Sequence, residues 1–363
     1  MRRGKTTSTF PSEVHSIFRG LFLISILMAI LTGCSTAKFL YQAGKGQLTL
    51  LNRGKPIDDL IADERVDGAL RDLLAKVPEI RAFGEREGLK PTASYREFVQ
   101  WPGDSVVHVV TVSDSLSFKP EVFSFPLVGS FTYIGWFDRN DAESFASGYR
   151  EKGLDVDIRG AAAFSTLGWF PDPLLSTMIP RTEEGKIHPD ALVDLVHVYL
   201  HESVHATIYF KDQSYFNESL ADFVADVLTE RFFKSRGEEA QALWVRYQER
   251  QRRMDKIRGL FSSAYRELDH LYRSNADVEA KRAGKSRIIS SLRSAAGIRR
   301  ELNNASLIQF KTYDPGERGF RELLERYQGN VPAFLSRLSR LKDSDFGISQ
   351  RENVKGLIDL IRD

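Results

Sequence analysis

Cysteine is almost missing from this chain of 363 residues, which contains one, Cys34. A single cysteine excludes any disulfide within the chain. The apolar run from Leu21 to Leu31 is too short to cross a bilayer as a helix. Neither charge sign is in large excess, with 51 basic and 49 acidic residues, and no low-complexity tract or internal repeat is visible. Hydrophobic residues at 42% and charged residues at 28% indicate a folded globular protein.

The first 34 residues have the pattern of a bacterial lipoprotein leader. A basic opening with Arg2, Arg3 and Lys5 precedes the apolar run, whose length is that of a signal-peptide core. The run ends in Leu-Thr-Gly-Cys, which resembles the lipobox, where the chain is cut before a cysteine that is then acylated. We therefore predict a signal peptide over residues 1–33 and lipidation of Cys34. The alternative is an N-terminal anchor helix that contains a cysteine by chance.

Removal of this leader changes the charge balance of the chain. Residues 1–33 hold four basic residues and one acidic residue, so the remainder has 47 basic and 48 acidic residues. A nearly neutral protein gives no reason to expect a nucleic-acid partner. We expect a lipid-anchored protein on the periplasmic face of the bacterial cell envelope, attached to the membrane through Cys34. Ser35, rather than an aspartate, favours the outer membrane over the inner one.

Local patterns predict helices at the beginning of the mature chain and strands after them. A helix is expected from Ala37 to Asn52, and a second helical pattern begins at Pro56. Residues 104–137 are rich in β-branched and aromatic residues, which predicts two to four short antiparallel strands. Further along, we expect a helix over residues 141–152 and another strand over residues 154–160.

The second half of the chain has helical periodicity. Pro189 begins one long helix, Asn217 begins another as its cap, and residues 238–363 continue in helical patterns with a break from Asn303 to Pro315. The order of elements predicts a mostly helical α+β fold. We divide residues 34–363, taken as one domain, into a sheet-containing part at about 100–170, a helix pair at about 189–236 and a C-terminal helical part.

The most informative motif is HESVH at residues 201–205. On a helix, His201 and His205 lie on the same face and can bind one metal ion. Zinc accepts imidazole nitrogen, and its catalytic sites keep one position open for water. Glu202 is then placed to take a proton from that zinc-bound water. The motif arises by chance in roughly one chain of this length per hundred, but its neighbours here are apolar, so the three polar side chains need partners.

The next helix offers a third ligand. Glu218 follows His205 by 13 residues, which leaves room for a turn and a returning helix. Asp222 lies one turn after Glu218 and could hold the free ring nitrogen of His201 or His205. The alternatives are ordinary ones: Glu218 favoured by the positive end of its helix, and Asp222 as a solvated surface charge. His197, one turn before His201, has Val198 beside it and not an acid, so we interpret it as a supporting or packing histidine.

HESVH followed by NESLAD resembles the gluzincin metallopeptidases, whose pattern is HExxH and then NExxxD on a following helix. More closely, the chain is similar to the bacterial family of predicted aminopeptidases. The stretches that carry this similarity are YQAGKGQLTLL (41–51), FPLVG (125–129), YIGWFD (133–138), RGAAAFSTLGWFPDPLL (159–175), HESVHATIYFKDQSYFNESLADFV (201–224) and LNNASL (302–307). They are spread over most of the mature chain.

The resemblance implies a zincin-like fold with a small antiparallel or mixed sheet that borders the active-site helix. It also implies a Zn²⁺ cofactor and peptide substrates. In gluzincins a strand before the motif helix pairs with the extended substrate, and AAAFSTLG (161–168) occupies that place. The alternative for this segment is a tight loop over the core, and the sequence does not separate the two.

Two further groups would complete an aminopeptidase. A donor for the transition-state oxyanion is usually a tyrosine or histidine from a later segment, and Tyr313 is our candidate, with Tyr265 and Tyr272 as rivals. For each of these taken singly, the sequence favours a surface or packing tyrosine. An anion must also hold the terminal ammonium of the substrate, but AAAFSTLG contains no glutamate and Asp172 nearby is unconvincing. Asn303 and Asn304 either shape the site or cap a helix.

The sequence therefore predicts zinc-dependent hydrolysis of peptide bonds, and the family resemblance implies that the enzyme is an aminopeptidase. The predicted ligands are His201, His205 and Glu218, and Glu202 is the predicted base. An endopeptidase of the same class is one alternative. A zincin-like envelope lipoprotein that only binds a partner is the other, although a binding module has no need of Glu202.

Overall fold

The computed structural model describes residues 38–125, 129–164, 166, 171–312 and 317–351. The predicted signal peptide, Cys34 and Tyr313 lie outside the described residues. The described residues divide into two compact units, one up to Thr49 and the other from Leu50 onward. Helix α1 covers residues 38–53 and confirms the helix expected from Ala37 to Asn52. Among the described helices, none is both long enough and apolar enough to span a bilayer.

The helical pattern that follows Pro56 becomes three short helices, namely α2 (Ile57–Ala62), α3 (Gly68–Leu74) and α4 (Val77–Arg86). Asp67 begins α3, because its carboxylate accepts a hydrogen bond from the Leu70 amide at 3.0 Å. A proline in the first turn of α4 suits a helix start. The predicted helical pattern is confirmed, since its residues Leu70, Leu73 and Leu74 are buried in a helix. The pattern did not predict the breaks that divide this segment into three helices.

The strands are short and form three small sheets, ordered β1-β2-β8, β6-β3-β7 and β4-β5. Their bounds are β1 (Lys55–Pro56), β2 (Glu97–Val99), β3 (Val107–Ser113), β4 (Phe123–Phe125), β5 (Gly129–Phe131), β6 (Ile134–Trp136), β7 (Asp155–Ala161) and β8 (Leu174–Leu175). β2 and β8 pair in parallel, while the other named pairs are antiparallel. The strands expected in residues 104–137 and 154–160 are therefore confirmed.

The central strand β3 is valine-rich, which suits a strand covered by helices on the sheet. Val107 and Val110 are buried, and β3 pairs with β7 over its whole length, with Val110 opposite Ile158. Helix α5 (Arg139–Arg150) packs on β3 and β7. It begins at Asp138, whose carboxylate accepts from the Asp141 amide at 2.9 Å.

Two helices form the middle of the molecule, α6 (Ala191–Thr207) and α7 (Ser214–Lys234). A short 3₁₀ turn at Ser176–Met178 precedes them. The remaining helices are α8 (Glu238–Arg273), α9 (Val278–Ala296), α10 (Asn304–Thr312), α11 (Glu317–Arg326), α12 (Val331–Leu338) and α13 (Asp343–Phe346). The predicted mostly helical α+β fold class is confirmed.

The break predicted from Asn303 to Pro315 is wrong over most of its length, because α10 occupies Asn304–Thr312. Asn303 is the cap of this helix, which is one of the two roles that the sequence left open for it. Its side-chain oxygen accepts from the Ser306 amide at 3.2 Å, and the Ser306 hydroxyl accepts from the Asn303 amide at 3.2 Å. This reciprocal pair satisfies amide groups that a helix start otherwise leaves unpaired.

Helices α11 and α12 close the core behind α7. The ring of Phe320 is fully buried and lies 5.4 Å from the ring of Phe216 and 5.7 Å from that of Phe223, both on α7. The ring of Phe334 of α12 lies 6.3 Å from that of Phe320 and 5.9 Å from that of Phe223. Aromatic contacts of this kind stabilise a core beyond the area that they bury. The C-terminal helices therefore hold α7 in place.

Replacement of Phe320 by alanine should destabilise the fold by about 3–5 kcal/mol, because it leaves a cavity among three aromatic rings. Chemical denaturation followed by circular dichroism measures this change. The control is Ile348→Ala, at a side chain that is 68% exposed, which should shift stability by less than about 0.5 kcal/mol. Equal stability of the two variants would contradict the packing described for α11.

Candidate metal centre

The candidate centre depends on how α6 and α7 are joined. Asn217 had been predicted to cap α7, but the helix begins three residues earlier, at Ser214. The Asn217 side chain instead pairs with the backbone of Phe210 in the connecting loop. Its oxygen accepts from the Phe210 amide at 3.0 Å, and its nitrogen donates to the Phe210 carbonyl at 2.7 Å. This buried double hydrogen bond fixes the turn between the two helices.

The turn brings three side chains with metal-ligating atoms to one point. His201 and His205 lie one turn apart on α6, with their Nε2 atoms 3.2 Å apart. Glu218 of α7 faces both: its Oε2 lies 3.5 Å from His201 Nε2 and 3.7 Å from His205 Nε2. One candidate ligand atom from each residue lies within 4.8 Å of the others. The three residues that the sequence singled out as ligands are therefore brought together.

Two aspartates continue the row on α7. His201 Nδ1 donates to Asp222 Oδ1 at 2.9 Å, so Asp222 holds the ring nitrogen that points away from the cluster. Such a carboxylate fixes the tautomer and the orientation of a ligating imidazole. Asp226, one turn further, pairs with His197 Nε2 at 3.1 Å. His197 thus has its own partner, as expected of a histidine that is not a ligand.

The protonation of the cluster follows from these contacts. Burial lowers the pKa of His201, but its hydrogen bonds to Asp222 and Glu218 outweigh burial and raise this pKa well above its usual value. Burial raises the pKa of Glu218, whereas the two histidines lower it by more, so the net shift is downward. A metal-free cluster therefore holds an ionised carboxylate against a protonated imidazole, and a metal ion must displace that proton to bind.

Two atoms at the cluster are buried and lack a hydrogen-bond partner anywhere in the described parts of the chain. They are Glu202 Oε2 and His205 Nδ1. A buried polar atom without a partner costs about 1–3 kcal/mol, so such atoms in a native fold need an explanation. One explanation for Glu202 is that this oxygen faces a place where water or substrate binds.

The charge of Glu202 also affects a neighbouring tyrosine. Burial raises the pKa of Tyr95 most, and the Glu202 carboxylate raises it further.

Tyr133 is a site residue that the sequence interpretation missed. It precedes β6, and its hydroxyl donates to Glu218 Oε1 at 3.2 Å. The surrounding residues had been interpreted only as strand. The signal in the sequence that could have identified Tyr133 was a tyrosine within an apolar segment. A half-buried tyrosine hydroxyl usually forms a hydrogen bond with a polar partner.

Of the tyrosines proposed as oxyanion donors, the two described ones, Tyr265 and Tyr272, have their contacts away from the cluster. Tyr313 lies outside the described residues. Tyr272 donates to Asn304 Oδ1 at 2.8 Å in the C-terminal core, and the ring of Tyr265 stacks at 3.9 Å on Phe118. Asn304 also donates to the Asp114 carbonyl at 3.0 Å. Its hydrogen bonds thus join α10 to the loop after β3 and do not shape the metal centre.

The segment proposed to pair with substrate is described only in part. Ala161 ends β7, and the described residues 162–164 and 166 belong to no strand, which favours the loop interpretation for them. Asp172 is 3% exposed, and its carboxylate accepts from both the amide and the hydroxyl of Thr166 at 2.8–3.0 Å. Since these bonds engage the carboxylate inside the fold, Asp172 is a poor candidate for a substrate-ammonium anchor.

The donor set fits a metal ion and, among metals, suits zinc. Two imidazole nitrogens and one carboxylate oxygen form one of the ligand sets of catalytic zinc sites. Asp222 supplies the outer hydrogen bond that ligating histidines usually make. His201, His205 and Glu218 can therefore hold a metal ion between α6 and α7.

Replacement of Asp222 by asparagine should weaken metal binding about 10–100-fold, because His201 loses the carboxylate that orients it. Titration with Zn²⁺ against a chromophoric chelator gives the affinity. Asp226→Asn is the matched control, since it makes the same change one turn away, on the partner of His197. If both variants bind Zn²⁺ as the unchanged protein does, Asp222 does not support the centre.

Comparison with known proteins places the chain in a family. Searches of curated proteins and of solved structures gave no match. A family model described as "Putative aminopeptidase" matches residues 38–354, which include every residue of the cluster. The match supports peptidase function in general. This chain belongs to the "Putative aminopeptidase" family.

Proposed function

We propose that the protein is a zinc-dependent peptidase and acts as an aminopeptidase. The observation that carries this proposal is the position of Glu202 beside the His201, His205 and Glu218 cluster. One of its carboxylate oxygens is buried, and no donor within the described residues binds it. A protein that only binds metal has no need of an unsatisfied carboxylate there, whereas hydrolysis needs a base.

The residues divide the work of hydrolysis between them. His201, His205 and Glu218 would hold the ion, and Asp222 orients the His201 ring. Bound zinc supplies Lewis acidity, which polarises a carbonyl and lowers the pKa of a water ligand to about 7. Glu202 takes the proton from the attacking water and passes it to the amine that leaves.

The aminopeptidase part of the proposal is supported by the family to which the chain belongs. The described residues of the chain do not identify the anion that would bind the ammonium group of a substrate, because the candidate Asp172 is hydrogen-bonded to Thr166. An endopeptidase with the same metal centre is the alternative within this class. The two differ in one measurable property, namely the need for a free amino terminus.

Replacement of Glu202 by glutamine should reduce kcat/KM for peptide hydrolysis by about 10²–10⁴-fold, because the amide cannot accept the proton. Zn²⁺ binding should remain, since the three ligands are unchanged. The assay uses the protein from Ser35 onward, with and without chelator. Glu230→Gln is the control, because Glu230 lies on α7 but pairs with Lys234 near the surface, and this variant should retain full activity.

The same assay separates the alternatives when each peptide is offered with a free and with a blocked amino terminus. Cleavage of the free peptides alone identifies an aminopeptidase, and cleavage of both identifies an endopeptidase. Stoichiometric metal binding without cleavage of either set would contradict the enzyme proposal. That result would favour a binding lipoprotein.

We also propose that the protein is lipid-anchored in the bacterial cell envelope through Cys34, on the basis of the lipobox-like residues before it. Expression of the full chain in a bacterium with labelled fatty acid tests this. The label and the protein should be in the membrane fraction, and Cys34→Ser should remove the label. Equal labelling of the two proteins would exclude Cys34 as the modified residue.

A further inference from the structure

The two oxygens of the Glu218 carboxylate have different partners. Oε2 is the oxygen that faces the two imidazole nitrogens, at 3.5 and 3.7 Å. Oε1 accepts the hydrogen bond from the Tyr133 hydroxyl at 3.2 Å. Tyr133 comes from a different part of the fold, the segment between β5 and β6, so this contact connects the sheet region to the ligand helix.

We infer that Tyr133 is a positioning residue that presents Glu218 to the metal ion through one oxygen. This inference rests on the metal-binding part of the proposed function. A free carboxylate can rotate and offer either or both oxygens to a metal ion. A hydroxyl that donates to Oε1 favours the orientation in which Oε2 is the ligand. Outer hydrogen bonds of this kind orient ligating carboxylates as they orient ligating histidines.

A second set of contacts fixes the segment that carries Tyr133. The Asp212 carboxylate, in the loop between α6 and α7, accepts from the Ser130 hydroxyl of β5 at 2.6 Å and from the Ser130 amide. The neighbouring Gly129 has φ +94°, and a side chain there would meet Asp212 Oδ1 at 2.7 Å. This close approach therefore requires glycine.

Gln350 joins the same point from the C-terminal part of the chain. Its amide donates to the Asp212 carbonyl at 2.7 Å, and its side-chain nitrogen donates to the Ser130 carbonyl at 2.6 Å. Its side-chain oxygen accepts from the amide of Ser214, the first residue of α7, at 3.0 Å. These bonds fix Ser130 of β5 to Ser214 at the start of α7. Ser130 precedes Tyr133 by three residues, and Ser214 precedes Glu218 by four. Contacts near Tyr133 and contacts near Glu218 therefore both fix the distance between the Tyr133 hydroxyl and the Glu218 carboxylate.

The test is Tyr133→Phe, which removes one oxygen and keeps the ring that packs at 6.1 Å from Phe131. Zn²⁺ affinity is measured by competition with a chromophoric chelator, and folding is checked by circular dichroism. The expected result is a Kd that rises about 10–100-fold. Excess Zn²⁺ should then restore most of the kcat, because the reacting groups are unchanged.

Tyr272→Phe is the matched control, since it also removes a hydroxyl that donates one hydrogen bond, to Asn304, away from the metal centre. Its Zn²⁺ affinity should equal that of the unchanged protein. If Tyr133→Phe binds Zn²⁺ with unchanged affinity, the inference is wrong. If kcat nevertheless falls at saturating Zn²⁺, the hydroxyl acts on the substrate and is catalytic instead.

Failure of the proposed function gives a different result. If the unchanged protein binds Zn²⁺ but cleaves no peptide, the peptidase proposal fails, while the comparison of Zn²⁺ affinities still decides the role of Tyr133. If the unchanged protein binds no Zn²⁺, both the cofactor and the positioning role are excluded.

Discussion

The contact of the Glu218 carboxylate with two histidines of the neighbouring helix is the interaction on which the centre depends. It exists because α6 and α7 pack together with their polar rows facing each other. Most of the apolar side chains of α6 and α7 are buried, so hydrophobic packing holds the two helices together. Their polar faces are then free to hold ionised groups. Asn217 fixes the turn between the helices, and Phe320 supports α7 from behind. Helices α6, α7 and α11 and the turn between the first two thus serve one contact.

Much of this centre was predictable because it depends on helical periodicity. His201 and His205, and again Glu218 and Asp222, are each separated by four residues, so each pair shares a helix face whatever the rest of the fold does. The spacing between the pairs requires only a short turn. The mostly helical α+β class was likewise readable from the order of the patterns.

Other parts of the site depend on contacts between distant segments, which periodicity does not encode. Tyr133 lies 85 residues before Glu218, and the two meet only because β5 is tied to the loop before α7. Asn217 had the sequence signature of a helix cap, but tertiary context gave its side chain a different partner. For Asn303 the sequence left two roles open, and its side chain takes the role of a helix cap for α10. Asparagine suits turns and caps equally, so its neighbours in space decide.

The unpartnered oxygen of Glu202 means that the fold is not at its most stable here. A buried carboxylate oxygen that no donor in the described chain binds lowers the free energy of unfolding, as does the similar nitrogen of His205. An apolar side chain at residue 202 would not carry this cost. The acid is therefore a feature of α6 that stability alone does not explain. By this reasoning, a variant with an apolar residue at position 202 would unfold at a higher temperature than the unchanged protein.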